Sequence, residues 1–141
     1  MRIVVDTSVI VAGLRSPSGA SAEVLRLILA GNLEAAVTTA LLLEYEAVVT
    51  RPEHLLVAGL STSEAVLVID ALTAAMHEVS IRWRMRPASP DPADDLVIEA
   101  AVNASADILV TFNRRDLDAA CSSAGIRTAA PAVLLSELGS S

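Results

Sequence analysis

Residues 1–10, MRIVVDTSVI, decide the fold of this chain. Ile3, Val4 and Val5 form an uninterrupted β-branched run, and Asp6 follows it directly. Such a run is typical of a strand that is buried on both faces, as in a parallel sheet. Open α/β sheets bind ligands at the C-terminal ends of their strands, and a buried carboxylate is costly unless it is paired or bound to a metal. We therefore expect Asp6 to anchor a metal site.

Further strands are predicted at residues 35–38, 79–83, 107–111 and 125–128, and segments with helical periodicity separate them. Strands that alternate with helices indicate a parallel sheet that is covered on both faces. We expect one α/β domain over residues 1–141, a three-layer α/β/α sandwich with a central parallel sheet of about five strands.

Capping residues mark several helix starts. Thr7 and Ser8 offer N-cap hydroxyls for a helix directly after the first strand. Ser61 and Glu64 form a capping box that opens a very apolar helix. Its excess of apolar residues fits either plain burial or a subunit interface.

Composition limits the function classes. No apolar stretch reaches the roughly 18–20 residues of a membrane span, and the single cysteine, Cys121, is typical of a reducing cytoplasm. The net charge of −7 argues against a general nucleic-acid coat protein but allows an enzyme that acts on nucleic acid through metal ions. The sequence has no glycine-rich phosphate loop, lysine or Gly-x-Ser-x-Gly elbow, which excludes nucleotide triphosphatases and serine hydrolases of the usual types.

Four acidic residues come just after a predicted strand or in the first turns of a predicted helix: Asp6, Glu44, Asp95 and Asp116. In a parallel α/β fold these positions gather at the carboxyl edge of the sheet. Clustered carboxylates either take up protons or bind a hard cation, and oxygen-only ligands favour Mg²⁺ or Mn²⁺. Periodicity leaves open whether Glu44 or Glu46 faces inward, and whether Asp94 or Asp95 does.

Four segments resemble the PIN-domain family and, within it, the VapC-like toxin ribonucleases: VVDTSVI, TTALLLEYEAVVTRP, DPADDLVIEAA and ADILVTFNRRDL. They occur in the family's order over nearly the whole chain. The resemblance implies Asp6, Glu44 and Asp95 as the first three acidic ligands. At the fourth position many relatives have Asp where this chain has Asn113. Others combine Asn with an Asp three residues later, so we expect Asp116 as the fourth ligand, with Asn113 as an alternative or adjunct.

The same resemblance implies a Mg²⁺- or Mn²⁺-dependent endoribonuclease in which water activated by the metal attacks the RNA phosphorus without a covalent enzyme intermediate. It also implies a cytoplasmic homodimer and a cognate antitoxin that occupies the active site. Thr7, Ser8 and Thr111 would position ligands or water, although helix capping explains Thr7 and Ser8 equally well. Arg114 and Arg115 would hold the RNA strand.

Two other interpretations stay open. A non-catalytic PIN-like domain would hold RNA or a protein partner without cutting. A phosphatase of the haloacid-dehalogenase type would need a second Asp two residues after Asp6, where Ser8 stands.

The remaining polar candidates are weaker. Arg82, Arg84 and Arg86 would alternate on the predicted third strand, which fits a solvated edge better than a phosphate site. His54 in a predicted loop and His77 at a predicted helix end are not expected to be catalysts.

Overall fold

The computed structural model describes residues 1–84 and 91–139. Within them, five strands form one sheet in the order β3-β2-β1-β4-β5, and every neighbouring pair is parallel. The strands are β1 (Arg2–Val5), β2 (Glu34–Val37), β3 (His77–Glu78), β4 (Ile108–Val110) and β5 (Arg127–Ala129). The apolar run Ile3, Val4 and Val5 is fully buried in the central strand.

Eight helices are present among the described residues: α1 (Thr7–Arg15), α2 (Ala20–Leu29), α3 (Thr39–Val49), α4 (Pro52–Ala58), α5 (Thr62–Ala74), α6 (Pro92–Asn103), α7 (Arg114–Ser123) and α8 (Pro131–Gly139). Because crossovers between parallel strands are right-handed, the strand order predicts α1–α5 on one face of the sheet and α6 and α7 on the other. In agreement, α1 packs against α2 and α3, α8 packs against α2, and α6 packs against β1 and α7. The predicted three-layer sandwich is confirmed.

The sheet reverses its direction of growth between β1 and β4. The chain adds β2 and β3 on one side of β1 and then returns through α6 to add β4 on the other side. Such a reversal leaves a crevice at the C-terminal ends of the two strands. Asp6 and Thr111 directly follow β1 and β4 at this point, and the Asp6 amide donates to the Val110 carbonyl at 2.9 Å.

Two predicted helix starts are found as expected. The Ser61 hydroxyl accepts from the Glu64 amide at 3.1 Å, and the Glu64 carboxylate accepts from the Ser61 amide at 2.9 Å. Asp91 caps α6 by accepting from the Ala93 amide at 3.0 Å. Cys121 is fully buried, and burial raises the pKa of its thiol to about 11.

The prediction of a third strand over residues 79–83 is wrong. β3 contains only two residues, so His77 lies in a strand and not at a helix end. The following segment is held by Asn103 on α6. Its side-chain oxygen accepts from the amides of Arg82 and Trp83 at 2.6 and 3.0 Å, and its side-chain nitrogen donates to the Trp83 carbonyl at 2.8 Å.

The proposed alternation of arginines is therefore not a property of a strand. Arg82 and Arg84 lie on the segment after β3, and Arg86 lies outside the described residues.

The predicted loop around His54 is also wrong. His54 belongs to α4, which has Pro52 in its first turn and Gly59, at φ 70°, at its C-cap. Proline suits the first turn of a helix because its missing N–H would have no partner there. Pro52, which ends the α3 pattern in the sequence, therefore also begins α4.

Among the described residues no single helix is long and apolar enough to cross a membrane. Only α4 and α5 taken together reach the required length and hydropathy, and the chain bends by 84° between them.

Candidate active site at the carboxyl edge of the sheet

A cavity of about 400 Å³ lies beside the end of β1. Its lining comes from the starts of α1 and α6, from the middle of α3 and from α4. The acidic and hydroxyl side chains that line it are Asp6, Thr7, Ser8, Glu44 and Asp94. The cavity at the end of β1 therefore contains carboxylate and hydroxyl groups drawn from separate parts of the chain.

Asp6 is held by two hydroxyl groups. Ser8 Oγ donates to Asp6 Oδ2 at 2.8 Å, and Thr111 Oγ1 donates to the same oxygen at 2.7 Å. Thr111 is fully buried and also accepts from the Asn113 amide at 2.9 Å. Both hydroxyls engage one carboxylate oxygen, so they fix the orientation of the group without engaging its other oxygen.

Glu44 is positioned from α3. Thr7 Oγ1 donates to Glu44 Oε2 at 2.6 Å, and the neighbouring Tyr45 donates its hydroxyl to the Val5 carbonyl at the end of β1. Burial, together with the charges of Asp6 and Glu44, raises the pKa of the Tyr45 hydroxyl well above its ordinary value.

The choice between Glu44 and Glu46, which periodicity left open, is decided by the packing of α3. Glu44 lines the cavity, whereas Glu46 lines a separate depression beside Leu43 and Thr62.

The capping role considered for Thr7 and Ser8 is not observed. The N-cap of α1 is Asp6, which has an extended backbone, and Thr7 is the first helical residue. Because the helix begins one residue earlier than the capping prediction requires, both hydroxyls are free to bond the carboxylates of Asp6 and Glu44.

Asp94 is the acid that α6 contributes to this cavity. Burial raises the pKa of its carboxyl to about 6, and the charges of Asp91, Asp6 and Asp116 add to the increase; a hydrogen bond from the Asn113 side chain opposes it. Asp94 therefore lies within electrostatic reach of the end of β1 and of the start of α7.

Asp95, the third ligand that the family resemblance implies, is buried on the same helix but is not part of the cavity lining. Neighbouring helical residues point about 100° apart, so α6 directs only one of the two carboxylates into the cavity. The structure places Asp94 there.

The two candidates for the fourth position both lie beside Asp94. Asp116 is exposed in the first turn of α7, and Asn113 is the N-cap residue of that helix. The charge of Asp116 raises the pKa of the Asp94 carboxyl, whereas a hydrogen bond from the Asn113 side chain lowers it.

The two arginines predicted to hold RNA are exposed on α7, and neither lines the cavity. Arg114 Nε donates to Thr128 Oγ1 at 3.3 Å. Their role in binding RNA stays a prediction.

The donor chemistry fits a hard divalent cation, although the set of ligands is incomplete. Within residues 1–84 and 91–139, no three His, Cys, Asp or Glu side chains are grouped closely enough to hold a metal ion by themselves. Mg²⁺ commonly keeps several waters and binds through one or two carboxylates together with substrate phosphates. An oxygen-only, partly open set therefore suits Mg²⁺ or Mn²⁺ better than zinc, which favours nitrogen and sulfur ligands.

Sequence reasoning missed two residues that line the cavity, Arg51 and His54. The helix that carries His54 was not predicted, so nothing brought it towards the acidic residues. The usable signal was Arg51-Pro52 directly after α3, because a proline that ends one helix can begin the next and turn the chain back.

The fold and the cavity together define an α/β protein with an acidic site at the switch point of a parallel sheet. The sequence profile of the PIN domain matches residues 2–115, a range that includes Asp6, Glu44 and Asp94. This chain belongs to the PIN-domain family. PIN domains are generally nucleases, and these nucleases generally use divalent metal ions. No curated protein matches the chain in sequence.

Proposed function

We propose that this protein is a metal-dependent endoribonuclease. The observation that carries the proposal is the convergence of Asp6, Glu44 and Asp94 on one cavity, with Asp116 near enough to raise the pKa of Asp94. Carboxylates that share a cavity repel one another, and the charges of Asp6 and Asp116 accordingly help to raise the pKa of Asp94. A divalent cation relieves such repulsion, and membership in a family of nucleases supports the same conclusion.

Asp6, Glu44, Asp94 and Asp116 would hold the ion, with Asn113 as an adjunct. When bound, Mg²⁺ or Mn²⁺ would neutralise phosphoryl charge and make water more acidic. The chain's own contribution is preorganisation: Ser8 and Thr111 orient Asp6, and Thr7 orients Glu44. Such supporting hydrogen bonds keep ligand groups in place before the substrate arrives.

The test is cleavage of a mixed-sequence single-stranded RNA by purified protein with Mn²⁺, with Mg²⁺ and with EDTA. We expect metal-dependent cleavage that Asp6→Asn and Asp94→Asn each reduce at least about a hundredfold. Asp70→Asn, an exposed change on α5, controls for contaminating nuclease and for charge. Full metal-dependent cleavage by Asp6→Asn would refute the proposal. If Asp95→Asn abolishes cleavage and Asp94→Asn does not, the third metal ligand is Asp95 and not Asp94.

A second candidate function is a PIN-like domain that binds RNA or protein without cutting. The absence of a group of three ligand side chains within the described residues favours it. Titration calorimetry with Mn²⁺ separates the two functions. Binding that Asp94→Asn abolishes supports the nuclease, whereas no binding and no cleavage supports the binding domain.

We further propose that the protein is the toxin of a toxin–antitoxin pair, with an antitoxin segment covering the cavity, and that it is a cytoplasmic homodimer. The exposed leucines of α3, α4 and α5 support the dimer: Leu43, Leu56 and Leu67 are 57%, 82% and 67% exposed. Co-purification with the product of an adjacent gene, and loss of cleavage in that complex, would test the antitoxin.

A further inference from the structure

The cavity that contains the carboxylates also has a basic part, formed by Arg51 and His54. Arg51 is exposed between α3 and α4, and His54 is half-buried in the first turns of α4. Neither residue belongs to the acidic set that we propose for the metal.

Arg51 shares the cavity with carboxylates but is not paired with one. In the part of the chain that the structure describes, its guanidinium group forms no ion pair and no hydrogen bond. Two arginines outside the cavity are paired, Arg2 with Glu34 at 3.0 Å and Arg127 with Glu137 at 2.6 Å, whereas Arg15, like Arg51, has no partner among the described residues. Arg51 is therefore available to an anion that enters the cavity.

His54 has a polar atom that the fold does not use. Its Nδ1 is buried and has no hydrogen-bond partner among the described residues. Such an atom destabilises the folded state, and each case calls for an explanation. A leucine at this position would carry no such unpaired nitrogen. Packing alone therefore does not account for an imidazole at this position.

An RNA strand carries one negative charge per nucleotide, and the protein has a net charge of −7. A metal ion at the acidic cluster would act on the scissile phosphate, and a cationic side chain beside it would offset the charge of the neighbouring phosphate. An arginine guanidinium group binds phosphate through two parallel hydrogen bonds. We propose that Arg51 and His54 bind a backbone phosphate of the RNA strand next to the scissile phosphate. This inference depends on the RNA substrate of the proposed function.

The test measures RNA binding separately from cleavage. A single-stranded RNA of roughly eight nucleotides is titrated with Asp6→Asn protein in Mg²⁺ at several salt concentrations, and fluorescence anisotropy reports binding. We expect Arg51→Gln in this background to weaken binding about tenfold and to lower the slope of log K against log salt by about 0.7. Arg51→Lys retains the slope. Arg15→Gln removes an exposed arginine at the end of α1 and is the matched control.

His54 requires a readout that separates binding from stability. We expect His54→Leu to weaken RNA binding roughly three- to tenfold. Its melting temperature should stay the same or rise, since the change removes a buried nitrogen without a partner. A lower melting temperature with unchanged RNA binding would show that His54 is structural.

The outcomes distinguish this inference from the nuclease proposal. If the unmodified protein cleaves RNA but Arg51→Gln binds with unchanged affinity and salt slope, the phosphate site is refuted and the nuclease stands. If nothing is cleaved but binding depends on Arg51, the nuclease fails and the phosphate site stands. If the protein binds no RNA, the phosphate site is refuted.

Discussion

At the scale of single residues, burial and charge act on the Asp94 carboxyl of the candidate site. Its pKa is raised from 3.8 to about 6, first by burial and then by Asp91, Asp6 and Asp116. Between these two pH values the folded state binds more protons than the unfolded state. The stability of the metal-free protein should therefore fall as the pH rises through this window.

Asp94→Asn should remove this penalty. At about pH 7 and without divalent metal, we expect the variant to gain on the order of 2 kcal/mol in free energy of unfolding. The gain should shrink as the pH falls towards 4 and disappear below about pH 3, where Asp94 is protonated in both the folded and the unfolded state. Urea denaturation in EDTA across this range measures it, with Asp70→Asn as the exposed control. An unchanged pH dependence in Asp94→Asn would show that the carboxyl carries no such penalty.

Bound metal should make the unmodified protein more stable than Asp94→Asn, the reverse of the order expected without metal. A ligand that binds only the folded state at 100 times its Kd stabilises the protein by about 2.7 kcal/mol. We therefore expect saturating Mn²⁺ to raise the melting temperature of the unmodified protein and of Asp70→Asn, but not that of Asp94→Asn. Thermal denaturation with and without Mn²⁺ provides the measurement. An equal increase in all three proteins would place the metal elsewhere.

At the scale of elements, α3 is joined to the end of β1 by the buried bond from the Tyr45 hydroxyl to the Val5 carbonyl. At the neighbouring position of α3, the hydrogen bond from the Thr7 hydroxyl to the Glu44 carboxylate joins α1 to α3. The position of the Glu44 carboxylate thus depends on how α3 packs against the central strand.

Tyr45→Phe should therefore reduce the free energy of unfolding by about 1–2 kcal/mol, because it leaves a buried carbonyl without this donor. Thr39→Val is the matched control, since it removes an exposed hydrogen bond to Glu78 and should cost less. Urea denaturation of both variants checks the difference. Equal stability of Tyr45→Phe and the unmodified protein would mean that the bond contributes nothing.

The helices and strands also show which elements local sequence patterns can predict and which they cannot. The run Ile3–Val5 and the pair Ser61 and Glu64 are local signals, so β1 and the start of α5 were predictable. Residues 79–83 look like a strand, but the backbone amides of Arg82 and Trp83 bond to Asn103, about twenty positions away in sequence. Likewise, α4 has only seven residues, too few for a clear helical period.

Within the candidate site too, residues could be predicted only where a local sequence pattern places them. Asp6 and Asn113 follow strands whose ends the sequence marks, so their meeting at one sheet edge could be foreseen. The choice between Asp94 and Asp95 depends on the rotation of α6 against the sheet, which no local pattern contains.

At the scale of the whole molecule, exposed leucines of α3 and α4 lie close to each other. Leu43 and Leu56 line two depressions that share Thr50 and Thr62, so they belong to one continuous surface formed by α3, α4 and α5. Contiguous apolar surface of this kind marks association sites more often than isolated exposed residues do. A second copy of the chain would cover it, in line with the proposed homodimer.

Leu56→Glu tests the homodimer because it places a charge at the most exposed leucine of this surface. Burying an unpaired carboxylate in an apolar interface is unfavourable by several kcal/mol. We therefore expect the dimer to dissociate, while the monomer keeps its stability because Leu56 contributes little to the core. Sedimentation velocity measures the change in mass, and Leu29→Glu, at an exposed position on α2, should remain dimeric. A dimer that survives Leu56→Glu would locate the interface on another face, and a monomeric unmodified protein would refute the homodimer itself.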